Sequence, residues 1–150
     1  MGQSLSQIYI HIIFSTKNRT PLIDVEIEDK LYAYLARVCT TSKCYPIKIG
    51  GYSNHVHILA QLSKTVSISE LVEILKTRSS IWMKKENAQL NNFYWQNGYG
   101  VFGVDRNGLV NLTRYIANQH HHHNNVSFEQ EYKSLLVENE VKFDEKYVWD

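Results

Sequence analysis

"YPIKIGGYSNHVHILAQL" (45–62) sits in the middle of the chain and decides how the rest is arranged. Its first half, "YPIKIGGYS" (45–53), reads as a short strand stopped by glycine. Its second half, "NHVHILAQL" (54–62), reads as another strand. The few turn residues between them suggest a hairpin. Upstream, "DVEIEDKLYAYLARVCTTS" (24–42) follows Pro21, places acids in its first turn, and repeats Ile27, Leu31, Tyr34, Leu35 and Val38 at helical spacing. Asp24 is its expected cap. Downstream, "SISELVEILKTRSSIWMKKEN" (67–87) opens with a capping box, Ser67-x-x-Glu70, and continues as an amphipathic helix.

Beyond those helices the pattern returns to strands. "IYIHIIFST" (8–16) is β-branched and aromatic and ends at a polar turn. "YWQNGYGVFGVD" (94–105) is strand-like but broken by Gly98, Gly100 and Gly103. "GLVNLTRYIANQ" (108–119) is a third helix, and "SFEQEYKSLL" (127–136) a fourth, with Ser127 as its cap. The order β-α-β-β-α-β then helices predicts an α+β, ferredoxin-like split βαβ fold. A four-stranded antiparallel sheet carries two helices on one face, and its other face is free for a site, a partner or a further helix. The 150 residues, 43% of them hydrophobic and 21% charged, suffice for one domain over 1–150 with a buried core.

Composition narrows the classes. Cys39 and Cys44 form no C-x-x-C pair and no disulfide framework. No apolar run reaches the roughly 18 residues of a membrane span. The N-terminus lacks a basic n-region and a small-residue cleavage site, so a soluble cytoplasmic protein is expected. Gly2 and Ser6 match a short myristoylation pattern, which carries little weight by itself. Net charge is +1, unevenly placed: residues 1–125 hold 13 Lys/Arg against 8 Asp/Glu, and residues 126–150 hold 3 against 7. A mildly basic body with an acidic tail permits local phosphate attraction and excludes a histone-like grip.

Two places bear chemistry. Alternate strand residues share a face, so His55 and His57 project together and could bind one divalent cation. They could equally be ordinary residues of a half-exposed strand. The chain is too short for an amidohydrolase barrel and lacks the paired H-x-[ST] motifs of two-histidine phosphodiesterases. Tyr115 and Gln119 are i and i+4 on the third helix. A tyrosine hydroxyl can attack phosphate, and a glutamine carbonyl can ligate a hard cation. Packing for the tyrosine and solvation for the glutamine would explain the same spacing.

Taken together, "HVHIL" and "YIANQ" resemble the single-tyrosine transposases of small insertion sequences, within the HUH nuclease superfamily. The likeness covers nearly the whole chain: "YIHIIFSTKNR", "ISELVEILKTRSS", "FYWQNGYGVFGV" and the ending "SFEQEY…YVWD" belong to it, and the ending is also similar to the repeat-associated branch. The resemblance implies cutting of single-stranded DNA near hairpins through a 5′-phosphotyrosine link, followed by rejoining. It implies that Tyr115 is the nucleophile and that His55, His57 and Gln119 hold Mg²⁺ or Mn²⁺. It also implies a homodimer in which the tyrosine helix of one subunit completes the site of the other. Gly98, Gly100, Gly103 and "DRNG" (105–108) would provide a flexible lead for that exchange, or simply make turns. Asn54 stands where such relatives often carry an acid.

Contacts to DNA are expected from Arg78 and Lys84 in the basic run "KTRSSIWMKK" (76–85), and from Arg106 and Arg114 beside the tyrosine helix. Trp95 and Tyr99 could stack on bases or pack in the core. His11 belongs to the core or backs the site. His120 to His123 read as a solvated helix end, with His122 on the Tyr115–Gln119 face if the helix persists. Two alternatives stand beside a transposase: a non-catalytic module that binds single-stranded nucleic acid, and an inactive domesticated relative. The RNP1-like pattern that would favour the first is absent, and intact His55, His57, Tyr115 and Gln119 argue against the second.

Overall fold

The computed structural model describes residues 2–150. Strands β1 (Tyr9–Ser15), β2 (Tyr45–Tyr52), β3 (His55–Gln61) and β4 (Gly100–Val104) form one sheet in the order β2-β3-β1-β4, with every neighbouring pair antiparallel. Helix α1 (Val25–Thr41) joins β1 to β2, and α2 (Ile68–Glu86) joins β3 to β4. This is the expected split βαβ arrangement. After β4 come α3 (Leu109–Ala117), the four-residue α4 (Gln119–His122) and α5 (Phe128–Glu138).

Strand alternation sorts the two faces. Ile10, Ile12 and Phe14 of β1 join Val56, Ile58 and Ala60 of β3 on one side. The apolar stripes of α1 (Leu31, Leu35, Val38) and α2 (Leu71, Leu75, Met83) close over them. Each such buried side chain contributes about 1.5–3 kcal/mol. On the other side, Ile13 and Phe102 pack with Phe128, Tyr132 and Leu136 of α5 in a smaller cluster. His11, His55 and His57 share that second face. Helices thus cover both sides of the two central strands, which buries the three histidines.

Several local expectations change. Asp24 occupies the cap position of α1, but its side chain makes no capping hydrogen bond. Ser67 caps α2 by accepting from the Glu70 amide, and the full reciprocal box forms instead at α5, between Ser127 and Gln130. Glycine does not stop β2, which runs through Gly50 and Gly51 to Tyr52. A Cβ on Gly50 would lie 2.7 Å from the Ile116 carbonyl oxygen, so this glycine lets α3 sit directly on the strand. Gly100 serves a similar purpose under the Tyr132 ring. β4 spans only residues 100–104, and Trp95 keeps just an isolated bridge to Thr16.

Candidate active site

His55 and His57 are fully buried on β3. Their partners fix what each ring presents. The Asn54 amide nitrogen donates to the Arg19 carbonyl at 3.3 Å, which turns Asn54 Oδ1 toward His55 Nδ1, 2.8 Å away. An amide oxygen only accepts, so His55 carries its proton on Nδ1 and leaves Nε2 bare. Asn54 therefore orients the ring without an acid. His57 Nδ1 meets His11 Nε2 at 2.8 Å, which places His11 behind the site as expected. Burial, then the neighbouring His57, pushes His11 down to about 3, and burial pushes His55 down to about 4, so both rings are neutral near pH 7.

The third helix ends earlier than expected. Asn118 (φ −99°, ψ 19°) closes α3, and α4 begins at Gln119. That break aims Gln119 at the sheet. Its Oε1 lies 2.9 Å from His55 Nε2, and its amide nitrogen donates to Glu131 Oε2 at 2.8 Å. Tyr115, half-buried on α3, donates its hydroxyl to the same Glu131 oxygen. Tyr115, Gln119, His55 and His57 thus meet in one place within one chain.

The break also overturns the solvated reading of the histidine run. Only His121 and His120 are exposed, and His120 pairs with Glu28 at 2.8 Å. His123 turns inward, its side chain 3% exposed, with Nδ1 2.6 Å from the Val126 carbonyl and Nε2 2.9 Å from Gln119 Oε1. His122 Nε2 is buried without a hydrogen-bond partner, 3.4 Å from Glu131 Oε2.

Sequence reasoning missed Glu131. Its carboxylate is buried on α5 among His55, His57 and His123, at 3.2–3.3 Å. Burial alone would raise its pKa, but the imidazoles around it, His123 first and then His55 and His57, hold it well below the usual carboxylate range. Burial, then the Glu131 charge, pushes the Tyr115 hydroxyl above its usual value. A signal existed: Phe128, Glu131, Tyr132 and Leu136 form the buried stripe of α5, so Glu131 is an acid inside an apolar face.

A cleft of about 640 Å³ opens beside these groups, lined by Tyr115, His122, Glu131, Leu112, Leu135 and Glu138. Arg106 and Arg114 are exposed just before and within α3. Arg78 is exposed, and Lys84 holds its ammonium 4.2 Å from the Tyr94 ring centroid; both lie on α2, across the sheet from the histidines. Trp95 is a core residue that donates to Ser79 at 2.9 Å, whereas Tyr99 is exposed. Among the described residues no helix is long and apolar enough to cross a membrane.

These features can be set beside known proteins. A family model described as "Transposase IS200 like" matches residues 4–119. The transposase of insertion sequence element IS200 from Salmonella typhimurium is 25% identical over 114 residues, covering 73% of this chain and 74% of its own. The ISDra2 transposase TnpA of Deinococcus radiodurans is 25% identical over 119 residues, covering 76% and 85%. A crystal structure of a candidate transposase from Deinococcus radiodurans superposes with a TM-score of 0.62 at 22% identity, covering 79% of this chain and 96% of that one. A REP-associated tyrosine transposase bound to a REP hairpin gives 0.60 at 14% identity, covering 84% and 76%. At those identities the two structures establish the fold.

Proposed function

This chain belongs to the IS200-like transposase family, and from that premise we propose that it cuts and rejoins single-stranded DNA near hairpins through a phosphotyrosine link made by Tyr115. The observation that carries the reading is the meeting of Tyr115 and Gln119 with His55 and His57 beside an open cleft. The solved relative bound to a REP hairpin supports hairpin DNA as the partner class.

The residues fit a divalent cation. His55 Nε2 and Gln119 Oε1 face each other at 2.9 Å with no hydrogen between them, because the proton of one is committed to Asn54 and the amide hydrogens of the other point to Glu131. Two lone pairs held this close, in a buried site, call for a positive charge. His55, His57 and Gln119 would hold Mg²⁺ or Mn²⁺, which when bound polarises the scissile phosphate and offsets its developing charge. Glu131 lines the cleft, so its carboxylate would repel a phosphodiester unless a cation were held beside it.

Tyr115 Oη attacks phosphorus, and the leaving group is the 3′-oxygen of the neighbouring nucleotide. Glu131 Oε2 accepts the hydrogen bond of the Tyr115 hydroxyl and so orients it, and the proton that the tyrosine gives up is taken by the departing 3′-oxygen, which leaves as a 3′-hydroxyl. Reversal with a second 3′-hydroxyl frees Tyr115 and rejoins the strand, so no external energy source is consumed. Arg106 and Arg114 supply phosphate contacts close to the cut. Arg78 and Lys84 would reach only DNA that passes around to the α2 layer.

The homodimer belongs to the same proposal. Here α3 serves the site of its own chain; exchange of α3 between two copies about residues 105–108 would rebuild the site in trans. A monomeric mass by light scattering overturns that part. A cytoplasmic location goes with action on DNA.

The test of the whole reading is a denaturing-gel adduct assay. Single strands bearing the hairpins that flank the gene are incubated with tag-free protein and Mn²⁺ or Mg²⁺. A slow covalent band that requires metal, Tyr115 and His57 is expected. Folded protein that binds these strands without forming an adduct points instead to a non-catalytic binding module.

A further inference from the structure

The histidine run ends in His123, whose side chain is buried beside Gln119. His123 Nδ1 lies 2.6 Å from the Val126 carbonyl, which can only accept, so its proton is on Nδ1 and Nε2 is bare. That bare nitrogen lies 3.1 Å from His55 Nε2, itself bare because Asn54 takes the other proton. It lies 2.9 Å from Gln119 Oε1 and 3.2 Å from Glu131 Oε1. Glu131 Oε1 is in turn 3.3 Å from His55 Nε2 and 3.2 Å from His57 Nε2.

Four acceptor atoms on His55, His123, Gln119 and Glu131 therefore converge with no hydrogen left to place between them, and His57 Nε2 joins at the edge. Neighbouring donors of a six-coordinate ion with bonds of about 2.1 Å stand about 3.0 Å apart. The separations here run from 2.9 to 3.3 Å.

We propose that His123 and Glu131 complete the metal centre, so that five protein donors, His55, His57, His123, Gln119 and Glu131, hold one cation and select Mn²⁺, Co²⁺ or Zn²⁺ over Mg²⁺. The inference rests on the metal reading given above and extends it. Three imidazoles favour borderline transition ions, while Mg²⁺ prefers oxygen and keeps several waters. Five protein donors leave a six-coordinate ion one position for a phosphate oxygen. Glu131 then joins the two halves of the site: Oε1 serves the cation and Oε2 takes the Tyr115 hydroxyl.

The test uses tag-free, chelator-treated full-length protein titrated with Co²⁺, followed by calorimetry and visible absorption, with Mn²⁺ and Mg²⁺ as competitors. A His120→Ala/His121→Ala double variant removes the exposed histidines and controls for loose binding by the run. Wild type and control should bind one Co²⁺ alike. His123→Gln and Glu131→Gln should each weaken binding by at least about tenfold and change the absorption band. Mn²⁺ should displace Co²⁺ at least about tenfold better than Mg²⁺. If either variant does not fold, the wild type still decides. Three exchangeable imidazole protons, those on Nδ1 of His55, His57 and His123, should show cobalt-shifted NMR signals, and only two would overturn the proposal. Unchanged affinity and spectrum in His123→Gln and Glu131→Gln, with loss in His57→Ala, would overturn the five-donor centre and leave the smaller one standing. Unchanged binding in His57→Ala as well would overturn both.

Discussion

Replacing Gly50 by alanine tests how the tyrosine is positioned. Gly50 pairs with His57 across the sheet, and α3 rests on it. The new Cβ would stand 2.7 Å from the Ile116 carbonyl oxygen and 2.8 Å from Ile116 Cγ2, where ordinary contact begins at 3.4 Å. The backbone of α3 must therefore retreat by about 0.7 Å, and Tyr115 is the adjacent residue. Overpacking of this kind costs about 1–3 kcal/mol, or about 2–4 °C in Tm for each kcal/mol in a chain of this size. A displacement approaching 1 Å at a reacting group lowers rate by up to about 10²-fold. The adduct rate in Gly50→Ala should thus fall by about 10- to 100-fold at a temperature where the protein is fully folded. Ile116→Ala in the same chain removes the Cγ2 clash but not the carbonyl clash, so rescue should be partial. Gly103→Ala, with nothing within 4 Å of its Cβ, should behave as wild type. Wild-type stability and adduct rate in Gly50→Ala would refute the argument that α3 is seated by this glycine.

Other outcomes follow from the same geometry. Tyr115→Phe should abolish the covalent adduct while changing Tm by only a few degrees, measured by gel and thermal unfolding. Ser127→Ala removes half of the α5 capping box and should cost about 1 kcal/mol in urea unfolding, with a loss of adduct rate through Glu131. Metal-free protein should lose stability as pH falls from 6.5 toward 4. His11 and His55, pushed down to about 3 and 4, stay neutral when folded, whereas their unfolded counterparts take up protons near 6.5. Each contributes a loss of about 2 kcal/mol at pH 5, and a flat Tm across that window would contradict their burial as neutral rings. Arg106→Ala and Arg114→Ala should each weaken binding of hairpin strands and flatten its salt dependence, in filter or anisotropy titrations, more than Arg78→Ala does.

The alternation in "HVHIL" and the helical spacing in "YIANQ" were legible because period 2 and period 3.6 are local rules, set by the backbone of each residue and its near neighbours. The same rules made the split βαβ order readable, along with the face shared by His55 and His57 and the cap at Ser127. The break at Asn118 was not legible. It ends α3 two residues early and sends Gln119 and His123 inward, where α3 rests on Gly50 and α5 packs on the sheet. Glu131 was half legible, as an acid in an apolar stripe, but its neighbours come from β3, α3 and α4, up to 76 residues away along the chain. Spacing determines which way a side chain points along its own element. Which elements close over it, and therefore whether a histidine ends in water or beside a buried carboxylate, is decided only when the whole core packs.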